Sequence, residues 1–269
     1  MTSSDKYTTE TITDVRPWTD SLFSFRTTRD RGYRFVPGQF ARLGVRDRDH
    51  DTLGAPSQRG QDSIVWRAYS IASAAHDEHL EFFSVVVPGG AFTSRLSKLR
   101  EGDEIFVERK SYGFLTTDRF EAGKDLWMLA TGTGLAPFLS ILHDFATWES
   151  YDNLILVQSV RTQSELAYED LIRGFDRSEY YAQFAHKLRY VRIVTREPVP
   201  GTLRDRVTKL VASGVLEENV GLRLDHERSR IMLCGNPEMV EDSRRILIER
   251  GFRMSRRGDP GHLAVENYW

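Results

Sequence analysis

The residues best suited to chemistry in this chain gather at glycine turns and beside arginines. An apolar run, Leu126–Ala130, passes straight into Thr131-Gly132-Thr133-Gly134-Leu135-Ala136-Pro137 and then into a helical pattern. Glycines at a strand-to-helix turn let the backbone approach a ligand, and the helix start offers N–H groups and a positive dipole end to a phosphate. Pro137 suits the first helical turn, where its missing N–H costs nothing. The spacing is Gly-x-Gly-x-x-Pro, not the Gly-x-Gly-x-x-Gly of the usual dinucleotide fingerprint, so the turn reads either as a nucleotide cradle or as a plain structural corner. The later strand ends favour the nucleotide. Arg161 follows Ser159-Val160, Arg196 follows Val194-Thr195, and Arg206 opens the next helical stretch, while an acidic partner for a ribose 2′-hydroxyl is not evident at either end. Guanidinium groups suit a 2′-phosphate by bidentate, charge-assisted bonding, which points to NADP(H) over NAD(H).

A second constellation lies earlier. Arg67-Ala68-Tyr69-Ser70 falls in a strand pattern, so Arg67 and Tyr69 share one face and Ser70 takes the other. A ring, a hydroxyl and a guanidinium together suit a planar, phosphate-bearing cofactor. Pro88-Gly89-Gly90-Ala91-Phe92-Thr93-Ser94-Arg95 then forms another glycine turn into a helix start, again suited to a diphosphate. Each segment alone also reads as an ordinary strand and a capped helix. Cys234 reads either as a catalytic contact or as a small apolar core residue at a strand end. His76-Asp77-Glu78-His79 and Asp47-Arg48-Asp49-His50-Asp51 set histidines beside carboxylates, but without metal-ligand spacing they read as solvated turns. No His-Glu-x-x-His or Gly-x-Ser-x-Gly supports a hydrolase.

Two groups of elements must position these residues. Up to about residue 120, strand patterns occur at Thr8–Val15, Leu22–Arg26, Phe40–Val45, Ile64–Ile71, Leu80–Val87 and Glu104–Val107, with one helix at Phe92–Leu99. Many short strands predict a sandwich or barrel. The stretch Arg46–Ser63 has no apolar period and reads as a long exposed hairpin loop. After Ala122-Gly123-Lys124, apolar runs at Leu126–Ala130, Leu154–Val160, Leu188–Val194 and Ile231–Cys234 alternate with helical stretches at Pro137–Trp148, Ser164–Phe175, Leu203–Ser213 and Pro237–Arg250. That alternation predicts βαβ units and a parallel sheet covered on both faces. The 269 residues therefore divide into two domains, 1–120 and 121–269. With 37 Lys and Arg against 39 Asp and Glu, the formal net charge of −2 argues against general nucleic-acid binding. A single cysteine excludes an intramolecular disulfide and a cysteine-held zinc or iron–sulfur site within the chain. No apolar run approaches the ~20 residues of a membrane span, and a cytoplasmic monomer that binds neither nucleic acid nor membrane is expected.

Taken in order, RAYSIAS (67–73), VPGGAFTSRL (87–96), LATGTGLAPFLSIL (129–142), VTRE (194–197), CGNPEM (234–239) and the terminal AVENYW (264–269) closely resemble the bacterial ferredoxin/flavodoxin–NADP(+) reductases. The resemblance covers nearly the whole chain, and Arg46–Ser63 departs from it by its length. It implies an N-terminal antiparallel barrel carrying FAD and a C-terminal α/β domain carrying NADP(H), with the aromatic tail returning to the flavin. By motif, Tyr69 would stack on the isoalloxazine and Ser70 would bond near flavin N5. Arg67, Ala68, Val86, Ala91, Phe92 and Thr93 would contact FAD, with Arg67 and the Ala91–Thr93 turn on the diphosphate. Thr133 would lie near both cofactors, between Gly132 and Gly134. Arg161, Arg196 and Arg206 would clasp the 2′-phosphate; Thr202 stands where some relatives carry an arginine, which makes Arg206 the weaker match. Cys234, Gly235, Asn236 and Pro237 would border the nicotinamide. Glu266 resembles the carboxylate of the family's terminal Val-Glu motif, Tyr268 would cover the flavin, and Trp269 would pack on its adenine. Ser70, Cys234 and Glu266 are the catalytic candidates.

The implied activity exchanges a hydride with NADP(H) and single electrons with ferredoxin or flavodoxin. Arg253–Arg257 reads as solvated surface or, with Lys98, Arg100 and Arg109, as a docking patch for such an acidic carrier. The alternatives are an NAD(P)H–flavin or oxygenase reductase, which needs no 2′-phosphate arginines, and a non-catalytic flavin-binding electron-transfer subunit.

Overall fold

The computed structural model describes residues 6–46 and 64–267. The Arg46–Ser63 loop therefore lies almost wholly outside the described residues, as do Tyr268 and Trp269.

Six antiparallel strands build the first half: β1 (Tyr7–Pro17), β2 (Leu22–Thr28), β3 (Phe40–Arg46), β4 (Ile64–Ser70), β5 (His79–Val85) and β6 (Glu104–Tyr112). Their order is β4-β3-β6-β1-β2-β5. The two outer strands meet through an Ile71–Phe82 bridge, and Ala72 N–H donates to Glu81 O at 2.8 Å, so the sheet closes into a barrel. Alternate residues fill its interior, among them Ile12, Phe25, Leu43, Ile71, Phe82 and Ile105. The helix expected at Phe92–Leu99 is a single turn, α1 (Thr93–Leu96). Phe92 and Leu96 anchor that turn in the barrel core, and Asp103 Oδ2 takes the Arg100 N–H at 2.7 Å, so the chain leaves the helix early.

The second half is an all-parallel sheet of β7 (Asp125–Thr131), β8 (Asn153–Val160), β9 (Leu188–Val194), β10 (Ser229–Gly235) and β11 (Leu263–Asn267), in the order β11-β10-β7-β8-β9. The chain starts in the middle, winds outward through β9 and returns to β10 on the other side of β7. Apolar clusters cover both faces, as the continuous apolar strands require. This is the expected pairing of an antiparallel barrel with a doubly wound domain. β11 went unread because its five residues carry no period of their own; pairing with β10 makes it a strand.

The helices are more broken than the sequence predicts. The Pro137–Trp148 stretch divides into α2 (Ala136–Leu142) and α3 (Phe145–Ser150), because Asp144 turns extended while Trp148 Nε1–H reaches back to Leu142 O at 2.7 Å. The Ser164–Phe175 stretch is interrupted at Tyr168, whose φ of 63° is left-handed, before α4 (Glu169–Arg173). The Leu203–Ser213 stretch begins only at α5 (Val207–Ser213), since Leu203 bridges Ile193 beside β9. A short α6 (Val215–Val220) follows, and α7 (Pro237–Glu249) matches its prediction closely. One apolar cluster joins the two halves, packing Leu22 and Phe83 of the barrel with Phe138, Leu142 and Tyr168 of the sheet domain. Among the described residues no helix is long and apolar enough to cross a membrane.

Candidate functional site

In an open, doubly wound sheet the strand order reverses at one point, and ligands bind in the crevice beyond the strands' C-terminal ends there. Here the reversal falls between β7 and β10. Thr131 ends β7 and its Oγ1 accepts the Asn236 N–H at 2.8 Å, tying the two strand ends together. Gly235 makes that closeness possible: with φ at +130°, a Cβ on it would lie 2.2 Å from Thr131 Oγ1. Asn236 caps α7, its Oδ1 accepting from Glu238 N–H at 2.9 Å and Met239 N–H at 3.2 Å, and Pro237 opens the first turn.

The two glycines of the β7 turn have different work. Gly132, at φ +53°, faces open space, with nothing within 4 Å of a built Cβ. Gly134 is buried, and a Cβ there would sit 2.3 Å from Cys234 O. Gly132 therefore fits the expected approach to a ligand. Gly134 does not reach the cleft wall and instead lets the turn close on the β10 backbone.

A cleft of about 600 Å³ opens at this point. Arg161, Arg196 and Arg206 all line it, with Gly132, Thr133, Gly235 and Asn236. Arg196 N–H donates to Arg161 O at 2.9 Å, so the ends of β8 and β9 continue side by side and carry both arginines to one wall. Glu165 Oε2 holds the Arg161 N–H at 2.8 Å. Ser159, Thr195 and Thr208 join the same wall and were missed in the sequence, although each lies within two residues of an arginine that was read. Their hydroxyls beside the guanidinium groups were the available signal. The opposite wall belongs to the barrel and includes Ser21, Leu22 and Val85–Pro88. Val86 N–H donates to Ser21 O at 2.7 Å, and Thr93 Oγ1 accepts the Val87 N–H at 3.0 Å, which fixes this edge to the second glycine turn.

On the barrel, Arg67 and Ala68 are exposed, Tyr69 is half-buried and Ser70 is buried. The Tyr69 hydroxyl lies 3.0 Å from Ser84 Oγ, and burial pushes its pKa up to about 12, with the Ser84 bond and the nearby Arg67 charge working the other way. It stays a neutral phenol. The Tyr69 ring packs 5.4 Å from Phe92, whose side chain is buried. Phe92 can therefore meet a ligand at this turn only through its backbone, beside Ala91 and Thr93.

Ser70 Oγ–H donates to Glu266 Oε2 at 3.3 Å across 196 residues of sequence. Glu266 lies opposite Cys234 in the β10–β11 register. Gly113, at φ +103°, makes room for it: a Cβ there would lie 2.9 Å from Glu266 Oε1 and 3.0 Å from the Phe40 ring. The catalytic candidates Ser70 and Glu266 thus touch, while Cys234 is wholly buried in the apolar cluster between the halves, as a small core residue would be. Of the basic patch, Arg253 pairs with Glu121 and lies 3.8 Å from Asp259, and Arg109 lies 3.7 Å from Asp30. The His76–His79 segment is a turn closed by Ala74 N–H on Asp77 Oδ2 at 2.9 Å. Among the described residues no group of three His, Cys, Asp or Glu is placed to hold a metal ion.

Known proteins match nearly the whole chain. The Oxidoreductase NAD-binding domain profile matches residues 128–245. The Ferredoxin–NADP reductase of Pseudomonas aeruginosa is 45% identical over 262 residues, covering 96% of both chains. The chain belongs to the ferredoxin/flavodoxin–NADP(+) reductase family. A second family member, the Flavodoxin/ferredoxin–NADP reductase of Escherichia coli, is 37% identical and covers 98% of this chain and 99% of its own. The crystal structure of a ferredoxin NADP+ reductase from Neisseria gonorrhoeae with bound FAD and NADP superposes with a TM-score of 0.86 at 35% identity, over 98% of this chain and 99% of that one.

The residues present fit both groups. The space before Gly132 is open, and the wall with Arg161, Arg196 and Arg206 carries guanidinium groups of the kind that suit a phosphate. On the barrel, Gly90 N–H bonds Val87 O at 2.9 Å and Ser94 N–H bonds Gly90 O at 3.1 Å. Between them lie helix-start N–H groups of the kind a diphosphate satisfies.

Proposed function

We propose that this chain is an FAD-dependent reductase that exchanges a hydride with NADP(H) and single electrons with ferredoxin or flavodoxin. The observation that carries the reading is the cleft at the β7/β10 reversal. Its one wall holds Arg161, Arg196 and Arg206, and its other is the barrel edge that runs into the second glycine turn. Residues 1–120 form the FAD unit and residues 121–269 the NADP unit. FAD, when bound, supplies the conversion between two-electron and one-electron transfer.

The chain's own groups bind and align. Arg161, Arg196 and Arg206 hold the 2′-phosphate, and Gly132 and Thr133 admit the rest of the dinucleotide. Gly235 and Asn236, fixed to Thr131, define the nicotinamide end. Arg67, Ala68, Val86 and the Ala91–Thr93 backbone hold FAD, with the Tyr69 ring along the flavin. Ser70 and Glu266 act as a pair: the Ser70 hydroxyl donates to the Glu266 carboxylate at 3.3 Å, and with FAD bound it would supply a hydrogen bond near flavin N5 that Glu266 orients. Tyr268 would cover the flavin and Trp269 would pack on the adenine of FAD. Electron-carrier encounters of this type are weak and charge-steered, and a monomer in the cytoplasm is part of the same reading.

The test is reconstitution with separately purified ferredoxin and flavodoxin, following carrier reduction from NADPH at increasing salt. Carrier-dependent turnover that falls as salt rises supports the proposal. NADPH oxidation that neither carrier accelerates refutes it and favours a plain flavin reductase.

A further inference from the structure

Tyr168 is the only non-glycine residue at positive φ among the described residues, with φ 63° and ψ 11°. A bulky side chain avoids that region, so the surroundings must over-determine it. Its backbone O accepts the Ile172 N–H at 2.9 Å within its own domain, while its ring and hydroxyl reach across to the other. The Tyr168 ring packs 4.9 Å from Trp18 and edge-on to Phe83 at 5.2 Å. Its hydroxyl donates to Glu81 Oε1 at 2.7 Å, and Glu81 Oε2 accepts from Arg26 Nε–H at 2.8 Å. Trp18 is itself held, by its Nε1–H on Ser24 Oγ at 3.2 Å and by the Arg16 guanidinium 3.8 Å above its ring. The partners of the ring and hydroxyl all belong to the barrel.

The place of this contact matters. Ala167 O, one residue before Tyr168, accepts the buried Gln158 Nε2–H at 3.2 Å. Gln158 is in β8, directly before the Ser159-Val160-Arg161 end that lines one wall of the cleft. Glu81 and Phe83 are in β5, which continues into Val85–Pro88 on the opposite wall. Tyr168 therefore joins the two strands that carry the two walls. Beyond the apolar burial of its ring, Tyr168 brings its hydroxyl onto a carboxylate already fixed by an arginine.

We infer that Tyr168 is a positioning residue for hydride transfer, setting the separation and angle of the cleft walls through its hydroxyl bond to Glu81. This rests on the proposed reductase reading. The test is Tyr168→Phe in the FAD-loaded protein, with Glu81→Gln and the double variant. Flavin reduction by saturating NADPH is expected to slow by about tenfold, since small misplacements of reacting atoms carry large rate losses. The NADPH concentration for half-saturation is expected to stay within about twofold, because the arginines are untouched. The double variant should be no slower than the slower single one. A second readout needs no turnover: hydrogen exchange should quicken at 79–88 and at 158–168 while β1 and β6 keep their wild-type rates. Wild-type reduction kinetics in Tyr168→Phe, or wild-type exchange at both segments, would overturn the inference. Wild-type protein that NADPH does not reduce would instead remove the reductase reading, with the exchange result still deciding whether Tyr168 couples the domains.

Discussion

Gly132 and Gly134 stand two residues apart in one turn, and alanine should injure them in opposite ways. In Gly134→Ala the new methyl would sit 2.3 Å from Cys234 O and 2.7 Å from Gly235 Cα, both backbone atoms that cannot rotate away. To restore contact, β10 must retreat from the turn by about 1 Å against its ladder with β7, an overpacking cost of about 3 kcal/mol. At roughly 2–4 °C per kcal/mol for a chain of this size, the melting temperature should fall by about 6–12 °C. In Gly132→Ala nothing obstructs the methyl, and φ +53° is a left-handed value that alanine reaches for about 1 kcal/mol. That is a fall of about 2–4 °C. The methyl enters the proposed coenzyme site, however, and displacing one charge-assisted backbone contact should weaken NADPH binding by about tenfold. The assay is calorimetry of the FAD-loaded variants beside an NADPH titration. Equal melting temperatures, or wild-type NADPH affinity in Gly132→Ala, would refute the division of labour drawn from the geometry.

Arg196→Ala should raise the KM for NADPH about tenfold, with that for NADH unchanged and a shallower salt dependence of the NADPH value; steady-state titration of both coenzymes checks it. Ser70→Ala should slow flavin reduction about tenfold or more and alter the flavin absorption envelope while leaving NADPH affinity intact, as measured by rapid mixing and a static spectrum. Burial holds the pKa of His143 below the ordinary histidine value, and burial with the Arg230 charge does the same for His262. Each thus takes up a proton less readily in the folded than in the unfolded chain. Stability should therefore be full above the ordinary histidine pKa of about 6.5 and decline as pH falls below it, by denaturant titration between pH 8 and 5. His143→Gln should flatten that decline.

The strands were legible because their signals are local. Alternation in the barrel and continuous apolar runs in the sheet report burial on one face or on two, and the arginines were found by following those runs to their ends. What was not legible depends on contacts made across the fold. Nothing near Tyr168 in sequence announces a left-handed residue, and its partners Glu81, Phe83 and Trp18 lie far off on the barrel. β11 becomes a strand only beside β10, and Gly134 reads as a ligand glycine until the Cys234 carbonyl is seen against it. Ser70 and Glu266 were each singled out by resemblance, but their hydrogen bond closes a separation that no window of sequence spans. The helix breaks at Asp144 and Tyr168 came from tertiary demands that outweigh propensity.

In the proposed reaction the cleft between barrel and sheet aligns a 2′-phosphorylated nicotinamide coenzyme with a flavin. The most direct test is anaerobic rapid mixing of the FAD-loaded protein with NADPH and, separately, with NADH, following flavin absorbance. Fast bleaching by NADPH and much slower bleaching by NADH, with the difference lost when Arg161 and Arg196 are both replaced by alanine, is the predicted result. Equal rates with the two coenzymes in the wild-type protein would contradict the arginine clamp, and an absence of bleaching with either would contradict the site itself.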